Sequence, residues 1–155
     1  MGLKLIALGN VLMKDDGIGI FIAKAIEEER KEQGMEVIYA ETDFGCCISK
    51  LKEWDSIIIL DAANFGKTPG DLTIIPFKNC SSERYSRTQH SGILLDVLKI
   101  YYPKLFGYIL AIETKEITFG FGLSDTLQNK KKDIIKKVSD FLNLLEEKGK
   151  VLNEG

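Results

Sequence analysis

At 155 residues, with 45% hydrophobic and 28% charged side chains, the chain fits one globular domain large enough to bury a core. Its net charge of −2 leaves no electrostatic footprint for nucleic acid or an anionic membrane. No apolar run reaches the length of a bilayer span, and the amino terminus lacks the basic and apolar regions of a signal peptide, so the expected location is the cytoplasm.

Residues 3–8 form a short, nearly continuous apolar run, the pattern of a strand inside a parallel sheet, with Lys4 as its one polar interruption. A loop carrying Gly9, Asp15, Asp16 and Gly17 follows. Ile18, Phe21, Ile22, Ala25 and Ile26 then recur at helical spacing, with Glu27 to Lys31 on the solvated face and Gly34 as the stop. A second strand is expected over 35–40, a short helix over about 46–54, and the clearest strand of the chain over 56–61, ending in Asp61. A strand at 72–77 contains Pro76, which assigns it to a sheet edge or a strand end. The long polar stretch 78–90 ends at His90-Ser91, where a helix begins that Pro103 terminates. A strand at 105–112 and a loop at 119–124 precede the last helix. Ser124 is placed to cap that helix, and its lysines Lys130, Lys131, Lys132, Lys136 and Lys137 read as a solvated face; fraying is expected from Gly149.

Strands alternating with helices point to an α/β fold: a three-layer α/β/α sandwich around a mostly parallel sheet, in one domain covering residues 1–155. In such a sheet Asp16, after the first strand, and Asp61, at the end of the third, both fall on the carboxyl edge, where ligands bind. His90, at the mouth of a helix, can swing over the same edge. Two carboxylates and an imidazole make an oxygen/nitrogen set suited to a borderline ion such as zinc or nickel. Each has a plainer reading: the acids as helix caps or turn acceptors, the histidine as a loop residue. The spacing of Gly9, Gly17 and Gly19 is not G-x-G-x-x-G, and acids in that loop would repel a pyrophosphate, which argues against a dinucleotide. Three cysteines, two of them the vicinal Cys46-Cys47, form neither a disulfide framework nor a CxxC pair.

These residues match a specific pattern. Gly9-Asn10-x-Leu12-x-x-Asp15-Asp16-Gly17-x-Gly19 resembles the amino-terminal signature of the nickel–iron hydrogenase maturation endopeptidases. The resemblance continues through Ile58-Ile59-Leu60-Asp61-Ala62, Pro69-Gly70, His90-Ser91 and Gly120-Phe121-Gly122-Leu123-Ser124. It implies an α/β/α sandwich that removes the carboxy-terminal extension of a hydrogenase large-subunit precursor after nickel insertion. It also implies metal binding and catalysis at Asp16, Asp61 and His90, with the nickel carried by the substrate; the sequence leaves open whether zinc or another divalent ion occupies the isolated protein. Asp15 is then expected to cap the following helix. Asp16 stands where many relatives have Glu, and Thr42-Asp43-Phe44 where many have Gly-Thr. The alternative reading is a phospho-receiver-like signalling domain with Asp61 as acceptor and Lys115 as its lysine. A Rossmann-type nucleotide enzyme ranks below it.

Overall fold

The computed structural model describes residues 3–79 and 87–154, with side chains at all of these except 79 and 150–154. Five strands form one sheet in the order β2-β1-β3-β5-β4: β1 (Leu3–Leu8), β2 (Glu36–Glu41), β3 (Ser56–Ala63), β4 (Leu72–Pro76) and β5 (Phe106–Glu113). All neighbouring pairs are parallel except β4 with β5. The antiparallel strand is the outer one that ends in Pro76, which fits a residue that cannot donate to a ladder on both sides.

Among the described residues, four α-helices cover the two faces: α1 (Ile18–Glu32), α2 (Phe44–Ile48), α3 (Ser91–Tyr101) and α4 (Asp125–Glu154). Side-chain alternation along the strands decides which face each residue serves. Leu5 and Ala7 of β1, Ile58, Leu60 and Ala62 of β3, and Leu110 and Ile112 of β5 pack with Ile18, Ile22 and Ile26 of α1 and Leu127, Ile134, Val138 and Leu142 of α4. Ile6, Leu8, Ile57, Ile59, Ala63, Ile109 and Ala111 point the other way, onto Cys47 of α2 and Leu94, Leu95 and Leu98 of α3. The three-layer expectation therefore holds. β3, at the middle of the sheet, is buried on both faces from Ile57 to Ala63.

Several local expectations change. The short helix spans Phe44–Ile48 because Asp43 caps it from upstream, accepting from the Cys46 amide at 3.4 Å. It ends where the Ser49 hydroxyl donates to the Cys46 carbonyl at 2.9 Å. Arg30 is not on a solvated face: it is fully buried, donating to Gln33 Oε1 at 3.0 Å and to the Ser139 carbonyl of α4 at 3.3 Å. Among the lysines of α4, Lys130 donates to the Pro69 carbonyl at 2.7 Å and Lys131 lies over the Phe21 ring, so only part of that row faces water alone. The helix continues through Gly149 to Glu154. Lys4, the polar break in β1, is buried and paired with Asp55 at 2.8 Å. Residues 80–86 of the expected polar loop, Cys80 included, lie outside the described residues. Among the described residues no helix is long and apolar enough to cross a membrane.

Candidate active site

The chain leaves β1 for β2 through α1 on one face and returns from β2 to β3 through α2 on the other. The carboxyl ends of β1 and β3 are therefore the point where the winding direction reverses, and there the sheet opens a crevice. Both candidate acids stand at it.

Asp16 comes from a tight 3₁₀ turn, Lys14–Gly17, inserted between β1 and α1. Gly9 opens the turn region at φ +135°, and a Cβ there would drive into the Asp16 carbonyl. Lys14 adopts φ +46°, a conformation that costs a non-glycine residue on the order of 1 kcal/mol. Its amide is held by the Gly120 carbonyl at 3.0 Å and its ammonium by Glu116 at 3.1 Å. Gly19 lets α1 lie against the sheet: a Cβ would come within 2.8 Å of the Leu60 carbonyl and 2.9 Å of the Leu8 carbonyl. These two glycines serve close approach of backbone to backbone.

His90 arrives from the other side of the crevice. Residues 87–89 run antiparallel to the end of β3: the Asn64 amide donates to the Arg87 carbonyl at 2.8 Å, the Gln89 amide to the Ala62 carbonyl at 2.9 Å, and Thr88 bridges Ala63. This short lane delivers His90 to the N-cap of α3. Its Nε2 lies 2.9 Å from Oδ2 and 3.1 Å from Oδ1 of Asp16, and the Asp16 Oδ2 also accepts from the Asn10 amide at 3.0 Å. The contact with Asp16 raises the imidazole pKa above its ordinary value; burial opposes this, and the charge of Asp61 adds to it.

Asp61 is wholly buried on the α3 face of β3. Its Oδ2 accepts from the His90 amide at 2.8 Å, the Ser91 amide at 2.7 Å and the Ser91 hydroxyl at 2.7 Å, while among the described residues Oδ1 accepts only from the Ala62 amide at 2.9 Å. One carboxylate thus caps α3 and fixes the backbone of His90. Burial pushes the Asp61 carboxyl pKa up, against the pull of the nearby imidazole and these donors. Asp16 and His90 therefore meet side chain to side chain, whereas Asp61 reaches His90 through the main chain. Among the described residues no three His, Cys, Asp or Glu side chains form a group that could hold a metal ion.

Asp15 overturns an expectation. The N-terminus of α1, at Gly17, receives no side-chain cap. Asp15 instead turns away, fully buried, to a segment about one hundred residues later. It accepts from the amides of Lys115 and Glu116 at 2.9 Å each, and from the Ser124 amide at 2.7 Å and hydroxyl at 2.8 Å. Ser124 caps α4 as expected, receiving the Leu127 amide at 3.3 Å. A second buried acid escaped the sequence reading altogether. Glu113, at the end of β5, takes the Phe65 amide at 2.7 Å and the Lys67 amide at 3.1 Å, holding the loop that follows β3. Its only sequence signal is a carboxylate closing an apolar strand, the same signal that singled out Asp61.

Comparison with known proteins adds a second line. A family model described as hydrogenase maturation protease matches residues 20–141, a span that includes Asp61 and His90 and begins just after Asp16. Over 82 residues the chain is 34% identical to coenzyme F420 hydrogenase subunit delta of Methanothermobacter thermautotrophicus, covering 46% of this chain and 52% of that protein, so the match spans about half of the relative's length. Among solved structures, the [NiFe] hydrogenase maturation protease HybD of Thermococcus kodakarensis superposes with a TM-score of 0.73 at 24% identity, over 91% of this chain and 99% of that one. The hydrogenase maturating endopeptidase HybD of Escherichia coli superposes with a TM-score of 0.70 at 21% identity, over 96% and 94%.

Proposed function

Since the chain belongs to the hydrogenase maturation protease family, we propose that it is an endopeptidase that removes the carboxy-terminal extension of a nickel–iron hydrogenase large-subunit precursor after nickel insertion. Asp16, Asp61 and His90 recognise the nickel carried by that substrate. The observation that carries this reading is the Asp16–His90 pair, 2.9 Å apart at the switch point of the sheet, with Asp61 bonded to the His90 amide.

The chemistry follows from the donor set. Carboxylate oxygen and imidazole nitrogen suit nickel(II) and zinc(II) alike. An ion that arrives already held by the substrate needs fewer ligands from the protease than a resident ion does. In Asp61, Oδ2 is fully engaged by three donors, while Oδ1 has one donor and spare acceptor capacity. The Nε2 of His90 exchanges its contact with Asp16 for the ion, and Asp16 is then free to ligate alongside it. Nickel held at this point polarises the scissile carbonyl or lowers the pKa of an attacking water. An empty precursor lacks the group that these residues recognise and so escapes cleavage. Asp15 takes no part in ligation; it keeps the neighbouring loop in place.

The test incubates nickel-loaded and nickel-free precursor with the wild type and with Asp16→Ala, Asp61→Asn and His90→Ala. Cleavage of the loaded precursor alone, lost in all three variants, is expected. Equal cleavage of both precursors by the wild type would overturn the nickel requirement. Full activity in all three variants would overturn the site.

A further inference from the structure

The segment between Glu113 and α4 is anchored firmly yet leaves its most apolar residues outside. Asp15 fixes both feet, at Lys115-Glu116 and at Ser124. Its middle is fixed by Gly120, whose amide donates to the Leu12 carbonyl at 2.8 Å and whose carbonyl receives the Lys14 amide at 3.0 Å, forming a parallel bridge beside Met13. On either side of that bridge Phe119 is 83% exposed and Phe121 is 78% exposed, with Leu12 51% exposed across from them. Phe121 meets Phe21 edge-on, with ring centroids 6.4 Å apart.

Gly120 is a single bridging residue between bends at 118–119 and 121–122, and both of its main-chain groups are taken up by residues 12 and 14. Among the described residues the amides and carbonyls of Phe119 and Phe121 have no hydrogen-bond partner. The result is a bent loop with free main-chain groups and two exposed aromatic rings, whose inner side is bonded to the turn that carries Asp16. Free main-chain groups beside exposed apolar side chains can hold an extended polypeptide, the main chain supplying affinity and the side chains selectivity.

We propose that the outer side of the loop at residues 119–121 binds an extended, apolar stretch of the large-subunit precursor adjoining the scissile bond, with Phe119, Phe121 and Leu12 as its side-chain contacts. This rests on the protease reading, because continuity with the Asp16 turn is what assigns the occupant. Lys14 and Asp16 flank Asp15 in one turn, so a peptide aligned on this loop is led toward the Asp16–His90 pair. The loop is fixed before substrate arrives, so little conformational freedom is lost on binding.

The experiment compares wild type, the double variant Phe119→Ser/Phe121→Ser, and Ile100→Ser as a control at an equally exposed apolar residue, 79% open, on α3. Each is titrated with nickel-loaded large-subunit precursor for direct binding and for cleavage, and amide exchange at Phe119 and Phe121 is followed with and without precursor. The double variant is expected to bind tenfold or more weakly, with the loss appearing in KM rather than kcat. The two amides should gain protection on binding, and the control should match wild type. Unchanged binding by the double variant, an equal loss in the control, or no gain of amide protection would overturn the proposal. Failure of the protease reading looks different: the wild type binds and protects these amides but leaves the precursor uncut.

Discussion

Truncating Asp15 separates its structural duty from the chemistry assigned to its neighbour. In Asp15→Ala four hydrogen bonds to a fully buried carboxylate disappear, from the amides of Lys115, Glu116 and Ser124 and from the Ser124 hydroxyl. At about 1.5–3 kcal/mol for each bond to a charged acceptor, their sum is roughly 6–12 kcal/mol, which is a ceiling. Lys115 is exposed and Glu116 half-buried, so their amides turn to water once the acid is gone. Ser124 is only 6% exposed, and its amide stays orphaned at a cost of about 1–3 kcal/mol. The expected net loss is therefore about 3–5 kcal/mol, a large fraction of the roughly 5–15 kcal/mol that holds a domain together. Urea unfolding followed by far-ultraviolet circular dichroism measures it, and hydrogen exchange at the three amides shows where it acts. A loss below about 1 kcal/mol, with those amides still protected, would refute the reasoning.

Asp16→Asn is expected to abolish cleavage yet leave the unfolding free energy in urea within about 1 kcal/mol of wild type, because its partner His90 is partly open to solvent. The same pair sets a pH dependence. Asp16 raises the His90 pKa in the folded state, so its stabilisation is fully present below the unfolded-state value of about 6.5 and is lost as pH rises through the higher folded value. The melting-temperature gap between wild type and Asp16→Asn should narrow from pH 6 to pH 9; a gap that widens would contradict it. Glu113→Ala should cost about 2–3 kcal/mol in urea unfolding by orphaning the Phe65 and Lys67 amides, and a neutral result would mean that water replaces the carboxylate there. Zinc at one hundred times its dissociation constant should stabilise the isolated wild type by about 2.7 kcal/mol in thermal unfolding, and chelation or His90→Ala should remove the effect; equal stabilisation of His90→Ala would place the ion elsewhere.

The sequence exposes what is local and periodic. β1 is legible because a buried strand leaves an apolar run broken only by Lys4, and α1 because its apolar stripe repeats at helical spacing. Asp16, Asp61 and His90 stand out because each terminates or opens such an element at the edge where a parallel sheet gathers its ligands. The partners of Asp15 are not legible. They lie about one hundred residues away, three of its four donors are backbone amides common to any chain, and the acid's local setting before a helix points to a nearer use. Arg30 misleads for a related reason: its neighbours in sequence are charged, but its position on α1 turns it into α4. The lane 87–89 beside β3 is hidden in a polar stretch whose composition gives no strand signal, although it sets the height at which His90 enters the crevice.

Asp61 ties the histidine to the alternation of a single strand. If β3 slipped by one residue against β1 or β5, its side chains would exchange faces, and Asp61 would point at α1 and α4 while Leu60 or Ala62 met the start of α3. His90 would lose the acceptor for its amide, and α3 its cap, in the same step. A mispaired sheet and an assembled site are thus mutually exclusive. In a member of the hydrogenase maturation protease family this geometry works as a built-in check: a copy with a slipped β3 does not assemble the Asp16, Asp61 and His90 cluster.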